Sequence, residues 1–297
     1  MNRKLEYVIT KSIDGITVQE LLKRNGYSTK VITHVKRTEL GLSIEGAKVL
    51  TNRILKAGET LNVLIEEEHG SQNIVPTNIP VDIIYEDKDI LIINKNADVP
   101  IHPSQGNFYN TLANAVAYYY DNKGTSFVYR CINRLDRDTT GLLIVAKNML
   151  SGCILSDMMC NRQIKREYHA IVSGTINESG VIDAPIAREE GSTILRCVDN
   201  QNGERAITYF KRLEIKNDFS YISLRLETGR THQIRVHMKH LGHTLMGDSL
   251  YGGDMTMITR QALHSYRLTF LHPITKEPME FISEIPLDMK MLIEDQT

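Results

Sequence analysis

The sequence predicts an α+β protein. A mixed, mostly antiparallel β-sheet with flanking helices is expected over residues 81–290. A small α/β unit over residues 1–68 precedes it, joined by a linker at 69–80. Two observations carry this. Strand-like stretches after residue 80 do not alternate regularly with helical ones, which disfavours a doubly wound parallel sheet. A polar, aperiodic run from Glu66 to Asn73, followed by Pro76 and Pro80, separates the two regions and reads as a solvated linker.

Within the first unit, Tyr7–Thr10 reads as a short strand. Thr17 is placed to cap a helix over Val18–Asn25, and Gly26 stops it. Ser28 is placed to cap a second helix through Val31, Ile32 and Val35. Glu45-Gly46 then makes a hairpin turn, with Val49-Leu50 and Leu61–Ile65 extended. Lys30, Lys36, Arg37, Lys48 and Arg53 gather here; they fit a solvated face or a small nucleic-acid-binding module. In the larger region strands are expected at Ile83–Tyr85, Ile90–Asn94, Gly141–Lys147, Tyr168–Ser173, Ala206–Phe210, Tyr221–Leu226, Leu263–Phe270 and Met279–Ser283. Helices are expected near Thr111–Tyr120, Met149–Asn161 and His232–Leu241, the last with Thr231 as its cap.

With 297 residues and 41% hydrophobic content the chain can bury a full core. A formal net charge of −1 does not advertise nucleic-acid binding, so any such role must rest on local charge. Cys131, Cys153, Cys160 and Cys197 form no CxxC and suggest no disulfide framework, which points to a reducing, cytoplasmic setting. The start MNRKLEYVITKS has no apolar signal region, and no apolar run approaches the ~18 residues of a membrane span. The phosphate-loop, dinucleotide-binding and serine-elbow motifs are missing from the sequence.

The segment INRLDRDTTGLLIVAKN, Ile132 to Asn148, is the most informative. Asp136 lies between Arg134 and Arg137, ahead of a buried-looking run. Nearby cations stabilise a carboxylate, as a nucleophile or general base requires. In an extended chain Arg134 and Asp136 share a face while Leu135 packs behind. These residues alone fit a structural ion pair beside a turn equally well. In LETGRTHQIRVHMKHLGHTLMGDSLYGG, Leu226 to Gly253, Arg230 stands at a helix start and Arg235 inside the helix, with Ile234, Val236 and Leu241 as packing residues. His232, His237, His240 and His243 lack metal-ligand spacing and read better as packed or surface histidines. In IKREYHAIVSG, Lys165-Arg166 and Tyr168 fit either a charged strand entry or cations for phosphate and a ring for base stacking. The Pro- and Gly-bearing stretch NKNADVPIHPSQGN reads as a loop after a strand.

Taken together, NRLDRDTTGLL, KREYHAIVSG, TGRTHQIRVHMKHLGHTLMGDSLYGG and QALHSYRLTFLHP resemble, in order, the motifs of the RluA-type RNA pseudouridine synthases. The N-terminal unit is similar to the S4-type RNA-binding domain. The resemblance implies a catalytic domain over 81–290 that isomerises uridines in structured RNA, ribosomal rather than transfer RNA, as a monomer without metal or organic cofactor. It implies Asp136 as the catalytic aspartate. Arg235 would pair with it and hold it ionised, Tyr168 would stack on or hydrogen-bond near the flipped base, and Leu263 would pack against that base. Arg134, Arg137, Lys165, Arg166 and Arg230 would contact RNA. The chain departs from the family pattern at Asn133, where His is usual, at Arg166, where Lys is usual, and in NKNADVP, which lacks the usual Pro-x-Gly. A non-catalytic RNA-binding or ribosome-assembly protein on the same fold is the alternative.

Overall fold

The computed structural model describes residues 2–67 and 69–294; Glu68, part of the expected solvated run, lies outside the described residues. The first sheet has the order β1-β4-β2-β3. Its elements are β1 (Asn2–Val8), α1 (Val18–Arg24), α2 (Thr29–Arg37), β2 (Leu42–Ile44), β3 (Ala47–Lys48) and β4 (Thr60–Glu66). Thr17 and Glu20 close a reciprocal capping box on α1, and Ser28 caps α2, as their sequence positions require. Glu45 and Gly46 both have positive φ, the turn that joins antiparallel strands without splaying them. β1 runs over Asn2–Val8 rather than Tyr7–Thr10. It is an edge strand with Leu5 as its one buried residue, so its hydrophobic pattern is too thin to read.

The rest of the chain supplies β5 (Asp82–Glu86), β6 (Ile90–Lys95), α3 (Leu112–Asp121), β7 (Thr140–Ala146), α4 (Met149–Cys160) and β8 (Lys165–Ser173). Then come β9 (Ser179–Asp183), β10 (Ile186–Arg188), β11 (Arg196–Val198), β12 (Ile207–Lys216) and β13 (Phe219–Leu226). α5 (Gln233–His240), β14 (Leu263–Leu271), β15 (Pro278–Ile282) and α6 (Leu287–Ile293) complete it. Nine strands form one sheet in the order β5-β6-β7-β14-β8-β13-β12-β9, with β15 added beside β14. Every pairing in this sheet is antiparallel except β7 with β14. A mixed, mostly antiparallel α+β architecture is therefore what the chain adopts. β9, β10, β11 and α6 were not foreseen; they are short, and bury few residues each.

β7 explains the uninterrupted apolar run. Leu142, Ile144 and Ala146 enter one core, while Leu143 and Val145 enter another on the opposite face. A strand covered on both faces has no polar alternation to show. Gly141 sits where β7 meets β14. Its φ is +103°, and a Cβ there would lie 2.3 Å from the Ser265 carbonyl oxygen.

The first core is continuous from the N-terminal sheet to the large one. It joins Leu22, Val35 and Ile65 to Ile90, Ile144, Ile154 and Leu268. The Arg3 guanidinium donates to both oxygens of buried Asp89, at 2.9 and 2.8 Å, across the same boundary. Residues 69–80 are docked rather than free. Ser71 exchanges hydrogen bonds with Phe127 and Tyr129, and the Asn114 amide donates to the Val75 carbonyl at 2.8 Å.

Candidate active site

The loop before β7 carries Asp136 and is pinned from several sides. The Thr139 amide donates to the Asp136 carbonyl at 3.1 Å, and Val99 N donates to the Arg137 carbonyl at 3.3 Å. Beneath the loop Lys95, at the end of β6, is fully buried and donates through Nζ to the carbonyls of Asn96 and Arg137, both at 2.7 Å. Burial pulls the Lys95 ammonium down to about 7, with the charges of Asp138 and Asp136 acting against it. Asn133 is buried. Its side chain donates to the Leu142 carbonyl at 3.2 Å and accepts from Ile144 N at 2.8 Å, clipping the loop to β7. Leu135 packs into the core, so Arg134 and Asp136 do present to one cleft.

That cleft has a volume of about 850 Å³, within the range of ligand sites. Asp136, Arg235, Tyr168, Leu263 and His232 line it. Arg235 donates through Nη1 to Asp136 Oδ2 at 3.1 Å. Its other two nitrogens grip Asp248, Nε to Oδ2 and Nη2 to Oδ1, both at 2.7 Å. Asp248 is fully enclosed, while the Asp136 side chain keeps 25% of its surface exposed. Burial would lower the Arg235 pKa, but the Asp248 hydrogen bonds and the charges of Asp136 and Asp248 outweigh it and raise it. The Tyr251 ring lies 4.9 Å from the guanidinium carbon. The guanidinium is thus clamped by a buried carboxylate and offers its remaining edge to an accessible one.

Alternation along β8 sorts its residues. Arg166 and Tyr168 line the cleft, whereas Lys165, one residue out of step, is exposed and does not. Burial pushes the Tyr168 phenol above the usual tyrosine range, Arg166 pulling against it. Leu263, on β14, pairs with Ala170 of β8. Among the expected RNA contacts, Arg134, Arg166 and Arg230 line the cleft, and Arg230 is ion-paired with Glu204. Arg137 does not line it; it pairs with Asp138 and Asp98 instead. Arg130 and Lys147 do not line it either; they pair with Glu67 and Glu86.

α5 begins one residue later than its sequence suggested. His232, not Thr231, is the cap residue. It has φ 57° and makes no capping bond. Gln233 organises the turn instead: its carbonyl oxygen accepts from Arg230 N and Thr228 Oγ1, and its amide donates to Ile207 O. Leu241 is exposed, and Met238 fills the core in its place. His237 and His243 are engaged with Thr208, Ala184 and Ser173, and do not converge. Asp87, Asp89 and His272 do converge, with ligand atoms within 4.8 Å, but outside the cleft. Their atoms already bond Tyr85, Arg3, Asn148 and one another.

No helix among the described residues is long and apolar enough to cross a membrane. Residues 89–240 match the family described as RNA pseudouridylate synthase. A Bacillus subtilis (strain 168) protein named uncharacterized RNA pseudouridine synthase YjbO is 41% identical over 282 residues, 95% of this chain and 99% of its own length. Ribosomal large subunit pseudouridine synthase D of Escherichia coli (strain K12) is 40% identical over 248 residues, 79% of this chain and 75% of that one. The solved structure of human RNA pseudouridylate synthase domain containing 1 superposes with a TM-score of 0.58 at 27% identity, over 69% of this chain and 83% of that one.

Proposed function

The chain belongs to the RNA pseudouridylate synthase family and is an RNA pseudouridine synthase, an isomerase, and from that premise we propose that it acts on ribosomal RNA with Asp136 as its catalytic aspartate. The name of the Escherichia coli relative supports the choice of ribosomal RNA. The observation that carries the role of Asp136 is its pairing with an arginine that a second, buried carboxylate already holds.

A uridine stacked in a helix is unreachable, so it must be turned out at a cost of a few kcal/mol. Arg134, Arg166 and Arg230 at the cleft offset that cost by gripping phosphates. Leu263 offers an apolar wall and Tyr168 a ring for the base. Asp136 engages the nucleoside, the N1–C1′ bond breaks, the uracil turns, and a C5–C1′ bond forms as the C5 proton leaves and N1 regains one. Arg235 keeps its place throughout, because Asp248 balances its charge while that of Asp136 changes. Residues 81–290 form the catalytic domain, residues 1–68 an S4-like RNA-binding domain, and 69–80 their connection. We place the enzyme in the cytoplasm as a monomer.

The test is tritium release from ribosomal RNA transcribed with 5-tritiated uridine. Asp136→Asn is expected to fold, to bind RNA and to release no tritium. Full activity in that variant would refute the assignment.

A further inference from the structure

His232 lines the same cleft as Asp136 and Arg235, and the proposed reaction leaves it without a task. Its two ring nitrogens face different groups. Nδ1 lies 2.8 Å from Tyr251 Oη, and Nε2 lies 3.9 Å from Asp136 Oδ2. Tyr251 Oη also accepts the Arg196 backbone N–H at 3.1 Å. That contact uses one of the two lone pairs of the phenol oxygen and leaves its single proton available to Nδ1. With the phenol donating to Nδ1, the imidazole carries its own proton on Nε2, the nitrogen turned toward Asp136. Burial favours the neutral ring, the charge of Asp136 acting against it. Tyr251 therefore touches both neighbours of Asp136: its hydroxyl meets His232 Nδ1, and its ring lies against Arg235.

Arg235 Nη1 and His232 Nε2 approach the same carboxylate oxygen, Oδ2. Among the described residues Oδ1 receives no hydrogen bond. At 3.9 Å the histidine contact is longer than a hydrogen bond, and catalytic contacts of this kind commonly tighten around the substrate. Resting on the reading of Asp136 as the reacting carboxylate, we infer that His232 is a positioning residue, a neutral donor that closes on Oδ2 when uridine fills the cleft and leaves Oδ1 to face it. The left-handed backbone at His232, φ 57°, aims the ring there; few side chains adopt it, and glycine does so without strain.

The experiment measures kcat and KM by tritium release from 5-tritiated ribosomal RNA for His232→Gly, His232→Asn and His232→Gln, beside Asp136→Asn. Glycine suits the backbone and asparagine tolerates it, which offsets part of the cost of losing the Tyr251 contact, so both variants are expected to fold. Both are expected to lower kcat by about 10- to 100-fold with KM little changed, as misplacement of a reacting group does. Glutamine, whose amide nitrogen reaches about as far as Nε2, is expected to recover most of that loss. Full kcat in His232→Gly, a change in KM alone, or a glutamine variant as slow as glycine would overturn the inference. If Asp136→Asn is inactive while His232→Gly is fully active, only the role of His232 falls. Full activity in Asp136→Asn would remove both readings.

Discussion

Asp248→Asn tests which carboxylate holds the arginine. The substitution keeps the shape of the side chain and one acceptor oxygen but removes a charge that has no access to water. Two unit charges about 4 Å apart interact by about 4 kcal/mol at an effective dielectric constant of ~20. Breaking one partner of a buried pair costs about 3–5 kcal/mol, because the other charge stays buried. Arg235, with 4% of its side chain exposed, cannot reach water to recover that loss, and Asp136 offers it a single contact at 3.1 Å. For a protein of this size about 3–5 kcal/mol corresponds to a melting temperature lower by roughly 6–20 °C. Asp136→Asn removes a partly exposed carboxylate and leaves the Asp248 clamp intact, so its cost is about 1 kcal/mol or less. Thermal unfolding followed by circular dichroism, paired with tritium release, separates the two. Both variants lose activity, but only Asp248→Asn loses stability. Equal melting temperatures for Asp248→Asn and the wild type would refute the argument that Asp248 is the anchor.

Gly141→Ala forces a side chain against the Ser265 backbone at a φ of +103°, where nothing flexible can yield; a loss of about 3–5 kcal/mol is expected in urea unfolding, and an unchanged midpoint would contradict it. Arg3→Ala leaves buried Asp89 with the Asn148 and Ser151 donors but without its cation, and is expected to cost about 1.5–3 kcal/mol. Faster protease cleavage within residues 69–80 is the expected readout, and wild-type resistance would count against the coupling. Burial lowers the His264 imidazole to about 4, its ring held between Thr140 Oγ1 and the Ser283 carbonyl. The unfolded chain therefore binds the extra proton first, and this contribution is lost as pH falls from about 6.5 toward 4. Between pH 7 and 5 His264 accounts for about 2 kcal/mol of lost stability, which His264→Gln is expected to remove from the pH dependence; an identical pH dependence in the variant would exclude it.

Local patterning made much of the site legible. The i, i+2 rule puts Arg134 with Asp136, and Arg166 with Tyr168, on common faces, and all four reach the cleft. The same rule applied strictly would have excluded Lys165, which is one residue out of phase. What stayed hidden depends on contacts that no local pattern encodes. Asp248 has no local signal in the sequence; its meaning is the pair of 2.7 Å bonds to Arg235. His232 read as one of several histidines in a row, because nothing local announces that its ring lies between Tyr251 and Asp136. Lys95 carried a usable signal, a lysine closing the apolar run ILIINK, yet only the tertiary fold places it under the Asp136 loop. The cap of α5 was misread because Gln233 bonds the turn from inside the helix rather than from Thr231.

The hydrophobic core that runs from Leu22 and Ile65 to Ile154 and Leu268 bears on the order in which the chain matures. During synthesis the first sheet leaves the ribosome before any of β6, β7 or α4 exists. The face it will later press against Ile154 stays wet until more than eighty further residues have emerged. At that face a side chain at Gly26 would come within 2.8 Å of Ile154. Apolar surface exposed in that interval is open to chaperones and to neighbouring chains. Once α4 arrives, the two regions seal into one interior. The division at residues 69–80 is then a break in topology without a matching break in cooperativity, and the finished enzyme is expected to unfold in a single step.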